Sequence, residues 1–166
     1  MDYEKQYQEY LVRVNRALDA ACEKFLPEES EVCRAARYSL LGGGKRIRAA
    51  LVLAVCDMLD GNAEAAEQFA AAVEMLHCYS LIHDDLPCMD NDDLRRGKPS
   101  CHKAFGESTA MLAGDVLLTE AFNVIANASA SPEICVRAAK ALGAGAGSHG
   151  MVYGQELDLK YEALAA

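Results

Sequence analysis

The sequence predicts an all-α fold, and three observations lead to this expectation. Of the 166 residues, 52% are hydrophobic, alanine is abundant and only four are proline, a composition that favours helix over sheet. Apolar residues recur at three- and four-residue steps in successive segments, whereas no strand alternation persists in any segment. The length is that of one ordinary domain. We therefore expect residues 1–166 to form one packed helical unit.

Four helices are predicted before residue 87. The first is amphipathic, since Tyr3 and later apolar residues lie on one face. The glycines at 42–44 separate the second helix from the third, and Gly61 ends the third. Pro87 ends the fourth, because proline cannot continue a helix. In chain order, these helices extend from Tyr3 to near Pro27, from Ser30 to Leu41, from about Arg46 to Leu59, and from about Ala63 to Asp85.

The second half of the chain begins with an irregular segment. Residues 87–106 contain two prolines, two glycines and a dense mixture of charges, so no regular element is expected there. A helix is predicted for about residues 107–127, and another begins at Ser131 with a proline in its tolerated first turn. Five glycines interrupt the helical pattern between residues 143 and 154. The last predicted helix covers residues 155–164.

The composition excludes several classes of function. A net charge of −9 argues against nucleic acid as a partner. No run reaches ~18 apolar residues, and the charged N-terminus lacks the apolar stretch of a signal peptide, so we expect a cytoplasmic protein without a membrane span. The seven cysteines form no CxxC pair and no zinc-binding spacing. An odd number spread over helical segments indicates reduced, buried thiols.

An acidic segment follows the fourth helix. Five carboxylates lie within ten residues, at Asp84, Asp85, Asp90, Asp92 and Asp93. They repel one another, and the first two also meet the unfavourable C-terminal end of the helix dipole. A hard cation would offset this charge, and oxygen-only ligands together with waters and a phosphate are the usual arrangement for Mg²⁺. The segment therefore predicts a Mg²⁺ site.

Three other interpretations of the acidic segment fit the residues less well. A solvated acidic loop would not interleave apolar side chains with the acids. An EF-hand loop starting at Asp90 needs glycine at its sixth position, where Arg95 stands. A helical metal phosphohydrolase would use His83 with Asp84, but this interpretation leaves the neighbouring arginines unexplained.

Two compact clusters of positive charge occur in this acidic chain. Lys45 and Arg48 are three residues apart at a helix start, so they share a face beside free backbone N–H groups, which favour anions. Arg95 and Arg96 are adjacent and therefore point in different directions, so their guanidiniums suit two different diphosphates. The first basic cluster is Lys45, Arg46 and Arg48, and the second is Arg95, Arg96 and Lys98.

Two weaker signals accompany these clusters. His77 lies seven residues before Asp84 on the same face of the fourth helix, so it is expected to face the same cavity. A lone histidine is more often a core residue, so its function depends on its neighbours. The glycines before Lys45 lack the spacing of a P-loop.

In their order along the chain, these features resemble those of the trans-polyprenyl (farnesyl/geranylgeranyl) diphosphate synthase family, bacterial short-chain type. The resemblance covers most of the chain and is specific, because it combines several long motifs. It implies an antiparallel helical bundle of the isoprenoid synthase type, of which residues 1–166 form the truncated N-terminal portion of a single domain. The matching stretches are Gly43 to Arg48, Ser80 to Asp90, Asp93 to Pro99, Leu112 to Asp115 and Gly150 to Leu159.

The resemblance also implies roles for individual residues. Asp84 and Asp90 match the Mg²⁺ ligands of the family's first aspartate-rich motif, and Asp85 matches a supporting catalytic carboxylate. Arg95 matches a contact to the allylic diphosphate. The isopentenyl diphosphate site is matched by Lys45, Arg48, His77 and Arg96. The catalytic residues that line the same cavity are matched by Gln155 and Asp158.

The implied reaction is a Mg²⁺-dependent condensation of isopentenyl diphosphate with dimethylallyl or geranyl diphosphate. The metal neutralises the departing pyrophosphate, while an apolar pocket protects the carbocation. Tyr79 lies five residues before Asp84, roughly 7.5 Å along the helix, where its ring is expected to limit the length of the product. This position, and the two extra residues between Asp85 and Asp90, favour C15 farnesyl diphosphate over C20 geranylgeranyl diphosphate.

Two features that the resemblance implies are missing. The family's second aspartate-rich motif, expected well after Asp158, is absent, as is a downstream lysine that contacts the allylic diphosphate. The isolated chain is therefore expected to ionise its substrate poorly and to expose apolar helix faces that favour self-association, as in a homodimer. The alternative is a non-catalytic subunit or fragment that binds diphosphate, against which the intact Asp84, Asp90 and Arg95 argue.

Overall fold

The computed structural model describes residues 3–165, and the all-α fold is confirmed. Within these residues, eight helices are joined by loops and one two-stranded hairpin. Each predicted helix is present, with bounds within a few residues of those expected. In chain order the elements are α1 (Tyr3–Phe25), α2 (Glu31–Leu40), α3 (Ile47–Met58), α4 (Ala63–Asp84), β1 (Leu94–Arg95), β2 (Lys98–Pro99), α5 (Cys101–Phe105), α6 (Glu107–Ala126), α7 (Pro132–Ala146) and α8 (Met151–Ala165).

The core is built around α4. This helix packs along α6 and α3, and it also contacts α1 and α2. Its buried face carries many alanines, among them Ala70 and Ala72, whose small side chains let neighbouring helices approach closely. Larger side chains from those helices, such as Leu53 and Leu117, are fully buried in the same cluster. The tight packing of α4 fixes the position of its C-terminal end within the bundle.

Side-chain caps define the start of three helices. The Ser30 hydroxyl accepts a hydrogen bond from the backbone N–H three residues later, at 3.3 Å. Asn62 and Ser131 make the equivalent bonds at 3.1 and 3.4 Å. Each cap supplies an acceptor for an N–H group that has no partner inside the helix. The predicted starts at Ser30 and Ser131 are confirmed, and Pro132 occupies the first turn of α7.

The sequence predicts no regular element in residues 87–106, and this expectation is wrong. β1 and β2 form an antiparallel hairpin with Arg95 opposite Lys98, and the short helix α5 follows. The two residues of the turn, Arg96 and Gly97, have positive φ angles of 54° and 76°, as type I′ turns require. Strands of two residues are too short for an alternating pattern, so they leave no periodic signal in the sequence.

The glycine-rich segment before α8 is partly helical. α7 continues through Gly143 and Gly145, and α8 begins at Met151 rather than near residue 155. In the turn between them, a Cβ added to Gly150 would lie 2.1 Å from the Gly145 carbonyl oxygen. Only glycine allows such a close approach. The glycines therefore make a tight turn between two helices instead of a long irregular linker.

The expectations from composition concern the cysteines and the absence of a membrane span. All seven cysteines are free, and all are buried except the half-buried Cys56 and the exposed Cys88. Within residues 3–165, one helix, α6, is long and apolar enough to cross a membrane by length and composition alone. This is weak evidence, because the core helix of a soluble protein passes the same test, and α6 packs against α4 and α2.

One face of α3 is apolar and exposed. Ile47, Leu51 and Met58 are between 52% and 75% exposed. With Tyr3 and Tyr7 of α1, these side chains line an open groove of about 620 Å³. The expected exposure of apolar helix faces is therefore present, while self-association stays a prediction.

A buried ion pair joins the start of α3 to α4. Arg46, which precedes α3 with a φ of 51°, donates to a Glu74 carboxylate oxygen at 3.4 Å and to the Leu40 carbonyl at 2.6 Å. The other Glu74 oxygen accepts from the Ala49 N–H at 3.3 Å. Both charged side chains are at most 4% exposed. One member of the first basic cluster therefore has a structural role.

We expect Glu74→Ala to lower the free energy of unfolding by about 3–5 kcal/mol, because removal of one partner leaves a buried charge uncompensated. The control is Lys160→Ala, which breaks the exposed Lys160–Glu156 pair and should change this free energy by less than about 1 kcal/mol. Urea unfolding followed by circular dichroism measures both. Equal effects of the two substitutions would contradict the structural role of the buried pair.

Candidate functional site

The acidic segment begins at the C-terminal end of α4. Asp84 is the last residue of the helix, and Asp85 caps it. Asp85 is 2% exposed, and the Arg95 Nε–H lies 2.9 and 3.2 Å from its two carboxylate oxygens. The same guanidinium lies 4.0 Å from an Asp84 oxygen and 3.8 Å from an Asp92 oxygen. Arg95 therefore compensates part of the negative charge that the sequence concentrates here.

The negative charge of Asp84 is only partly compensated by its neighbours. Burial, followed by the nearby Asp90 carboxylate, raises the pKa of Asp84 against the opposing effects of Arg95 and Gln155. The Asp90 N–H donates to the Asp84 carbonyl at 2.9 Å, so the loop folds back over the helix end. The Asp90 side chain itself is exposed. The two predicted metal ligands are therefore close enough to interact electrostatically.

α8 brings one predicted site residue to this end of α4. The Gln155 Nε2 donates to the Asp84 carboxylate. The structure thus brings Gln155 to the predicted metal site. Asp158 lies on the same helix as Gln155, three residues further along, but its side chain is exposed.

The residues at this end of α4 fit part of a Mg²⁺ site. Their donors are carboxylate oxygens, which this hard cation prefers. Burial, and then Asp90, raise the pKa of Asp84, and a bound cation would stabilise its charged form. In the part of the chain that the structure describes, no three His, Cys, Asp or Glu side chains are grouped so that they could hold a metal ion. Asp84 and Asp90 would therefore need further oxygen ligands, such as waters or phosphate oxygens.

A second site lies between the glycine turn at residues 42–44, α4 and the hairpin. It is an open cavity of about 360 Å³, which we call the basic pocket. Arg46 and Glu74 neutralise each other, so the remaining cationic side chains leave a net positive charge. All four residues predicted to bind isopentenyl diphosphate are brought together in it. The basic pocket is lined by Gly44, Lys45, Arg46, Ile47, Arg48, Glu74, His77 and Arg96.

Arg96 reaches the basic pocket from the hairpin turn. Its guanidinium lies over Gly44 and donates to the Gly43 carbonyl. A Cβ added to Gly44 would lie 2.7 Å from the guanidinium carbon, and the φ of Gly44 is 126°, which residues with side chains rarely adopt. Glycine is therefore required at this position. Arg95 and Arg96 point to different sites, although their assignment to two different diphosphates stays a prediction.

The environment of His77 in the basic pocket favours its neutral form. Its Nε2 lies 3.5 Å from an Arg48 nitrogen. Burial, and then the Arg48 charge, lower the pKa of His77; Arg96 and Arg46 act in the same direction, and Glu74 opposes them. A bound anion would shift this balance, because it stabilises the imidazolium.

Tyr79 packs inside the bundle on α4. It is 7% exposed, and its ring meets the His83 ring edge-on, with 5.7 Å between the centroids. Burial raises the pKa of the phenol. Tyr79 is not among the residues that line the basic pocket or the groove between α1 and α3. Its effect on product length stays a prediction.

Glu74, His83 and Gly114 also shape these sites, and none of them is among the predicted site residues. Glu74 neutralises Arg46, and its position among apolar residues of α4 was a signal that could have indicated burial. His83 and Gly114 contact each other across two helices. A pair so distant in the sequence leaves no local signal from which its contact could be predicted.

Sequence comparisons match most of the chain to known proteins. The polyprenyl synthetase family model matches residues 29–165. The chain is 51% identical over 154 residues to a farnesyl diphosphate synthase of Micrococcus luteus, covering 93% of this chain and 52% of that relative. It is 52% identical over 155 residues to a chloroplastic heterodimeric geranylgeranyl pyrophosphate synthase large subunit 1 of Arabidopsis thaliana, covering 91% and 41%. The chain therefore spans about half the length of these curated relatives.

Solved structures share the fold. A geranyltransferase from Legionella pneumophila superposes with a TM-score of 0.91 at 42% identity, covering 96% of this chain and 57% of that protein. An FPP/GFPP synthase from Zymomonas mobilis, in its apo form, gives a TM-score of 0.87 at 41% identity, with coverages of 94% and 58%. These matches confirm the expected helical bundle of the isoprenoid synthase type.

His77 should make the binding of inorganic pyrophosphate to the basic pocket depend on pH. Its lowered pKa keeps the imidazole neutral in the free protein, and a bound anion raises that pKa. Binding therefore takes up a proton, and this contribution to affinity grows as the pH falls from about 8 to about 6. Isothermal titration calorimetry without metal measures the affinity over this range.

The control for this prediction is His77→Gln, which keeps a hydrogen-bonding side chain but cannot titrate. Pyrophosphate changes its own protonation equally in both experiments, so the difference between the two pH profiles isolates His77. Identical profiles for the wild type and the variant would contradict the prediction.

Proposed function

The chain belongs to the polyprenyl synthetase family, and we propose that it forms the N-terminal part of a prenyl diphosphate synthase. In this proposal, the protein condenses isopentenyl diphosphate with an allylic diphosphate in the presence of Mg²⁺. The observation that carries the proposal is the presence of two clusters of different chemistry along the last turns of α4. One combines the Asp84 and Asp90 carboxylates with Arg95, and the other is the basic pocket.

The two sites suit two substrates that require different treatment. The allylic diphosphate has to lose its pyrophosphate, and a Mg²⁺ ion held by Asp84 and Asp90 would neutralise that leaving group when bound. Isopentenyl diphosphate must not ionise, and Lys45, Arg48 and Arg96 can hold it by charge-assisted hydrogen bonds alone. Because the metal-binding carboxylates lie outside the basic pocket, only one of the two diphosphates is prepared for departure.

Arg95 is oriented before any substrate arrives. Its hydrogen bonds to the buried Asp85 fix the guanidinium, and the same group lies near Asp84 and Asp92. A side chain that is already fixed loses little conformational entropy when it binds a diphosphate. This geometry supports a role for Arg95 in positioning the allylic diphosphate beside the metal-binding carboxylates.

We further propose that the product is C15 farnesyl diphosphate, with C20 geranylgeranyl diphosphate as the alternative. The buried ring of Tyr79, five residues before Asp84, supports the shorter product. Identity does not decide between the two products, because the relatives named for each are 51% and 52% identical to this chain.

A second candidate function is that of a subunit which binds diphosphate without completing the reaction. The Arabidopsis relative is named as the large subunit of a heterodimeric synthase, and this name supports the second candidate. The complete set of Asp84, Asp90 and Arg95 favours catalysis instead. We also propose that the protein is cytoplasmic and that its exposed apolar faces allow assembly into a homodimer.

A turnover assay of this chain with Mg²⁺, isopentenyl diphosphate and geranyl diphosphate tests the proposed activity. We expect slow formation of a C15 or C20 diphosphate, identified by mass spectrometry, because residues 1–166 lack the second aspartate-rich motif. Asp84→Ala should lower the rate by about 100-fold or more, because it removes electrostatic stabilisation of the departing charge. Asp19→Ala, which removes an exposed carboxylate from α1, is the matched control and should leave the rate unchanged. Pyrophosphate binding without any product would favour the interpretation of the chain as a non-catalytic subunit or fragment.

Tyr79→Ala should shift the product distribution in the same assay towards longer prenyl chains, because it removes the ring expected to limit the cavity. Tyr79→Phe keeps the ring and should retain the wild-type product. An unchanged product from Tyr79→Ala would show that this ring does not set the chain length.

A further inference from the structure

His83 immediately precedes Asp84 and joins α4 to α6. Its Nε2 lies 2.9 Å from the Met111 carbonyl oxygen, and because a carbonyl only accepts, Nε2 carries the hydrogen. The Asp115 carboxylate lies 3.9 Å from the same nitrogen, and the Tyr79 ring packs edge-on against the imidazole. Contacts from both helices therefore fix the orientation of the His83 ring.

Gly114 makes room for this ring on α6. A Cβ added to Gly114 would lie 2.1 Å from Nε2, 2.4 Å from Cδ2 and 2.9 Å from Cε1 of His83. These are the three nearest atoms, and all belong to one imidazole. Gly114 has no positive φ that would otherwise require glycine, and glycine is disfavoured inside a helix. The contact with His83 is therefore the physical reason for glycine at this position.

The end of α4 requires support from outside the helix. Asp84 and Asp85 are like charges at a helix C-terminus, where the dipole also disfavours anions. The turn is nevertheless formed, since the Asp85 N–H still donates within it at 3.1 Å. Arg95 holds this turn from the hairpin side through Asp85, and His83 holds it from the α6 side.

We propose that His83, seated on Gly114, is a positioning residue that fixes the Asp84 carboxylate for a divalent cation. This inference rests on the proposed function, in which Asp84 is a metal ligand. The Nε2 of His83 is turned towards α6 and donates to Met111, so the residue acts through the backbone of the last helical turn. Gly114 sets how closely α6 approaches that turn, and thereby where Asp84 lies.

The test is a double-mutant cycle that uses Mn²⁺ as the probe, with its affinity measured by electron paramagnetic resonance. Gly114→Ala should weaken Mn²⁺ binding by about tenfold, because the methyl group displaces the ring. His83→Ala should also weaken binding, but adding Gly114→Ala to it should cause no further loss, since no ring remains to be displaced. His83→Gln retains an N–H donor and should recover part of the affinity.

Two measurements without metal separate positioning from a general loss of structure. In Gly114→Ala, the affinity of the basic pocket for pyrophosphate should stay at the wild-type value, while amide hydrogen exchange at Asp85 becomes faster. Gly145→Ala is the matched control, because an added Cβ there meets no atom within 4 Å, and it should change neither quantity.

Three outcomes would overturn the inference while the proposed function stands. The first is an equal loss of Mn²⁺ and pyrophosphate affinity in Gly114→Ala, which would indicate a structural defect. The second is an equal loss of Mn²⁺ affinity when Gly114→Ala is introduced into the wild type and into the His83→Ala variant. The third is unchanged exchange at Asp85. If Asp84→Ala binds Mn²⁺ as tightly as the wild type does, Asp84 is not a metal ligand. The metal site of the proposed function then fails, and this inference fails with it.

Discussion

The ion pair between Arg95 and Asp85 neutralises a carboxylate that is buried at the C-terminal end of α4. A buried charge costs several kcal/mol unless it is paired. The Arg95 guanidinium is the cationic partner of the buried Asp85 carboxylate. Because Arg95 belongs to the hairpin, the same ion pair fixes the hairpin against α4. The next residue, Arg96, is then held in the turn above Gly44, where it lines the basic pocket. The geometry of the acidic site and of the basic pocket therefore depends on one buried ion pair.

The positive charges of this acidic chain are divided between structure and binding. Arg46 holds α3 against α4 through Glu74, so the opposite charges of these two side chains offset each other in the basic pocket. Arg48 and Arg96 have no comparable acidic partner among the residues that line the pocket. Their charge also lowers the pKa of His77. The basic pocket is therefore expected to bind an anion, because Glu74, the acid among its described lining residues, is already paired with Arg46.

Sequence reasoning succeeded where the signal is local and failed where it depends on tertiary contacts. The caps at Ser30 and Ser131, and the order of the acidic and basic motifs, could be read directly because each lies within a few residues. The hairpin could not be predicted, since its strands are two residues long. The burial of Arg46 was equally hidden, because it depends on an acid 28 residues away. The prediction that Lys45, Arg48, His77 and Arg96 share a site came from the resemblance, and the fold brings them together.

The acidic site has one strongly constrained side and one weakly constrained side. On the first side, α4 is packed into the core and its end is tied to the hairpin by Arg95 and to α6 by His83. On the second side, α8 follows a glycine turn, most of its side chains are exposed, and Gln155 reaches Asp84. An amide is a neutral donor, so it stabilises a carboxylate less than a charged partner does. Burial, followed by the Asp90 charge, keeps the pKa of Asp84 raised although Arg95 and Gln155 both oppose the shift. Asp84, one of the two predicted metal ligands, is thus a partly buried carboxylate whose charge its neighbours compensate only in part.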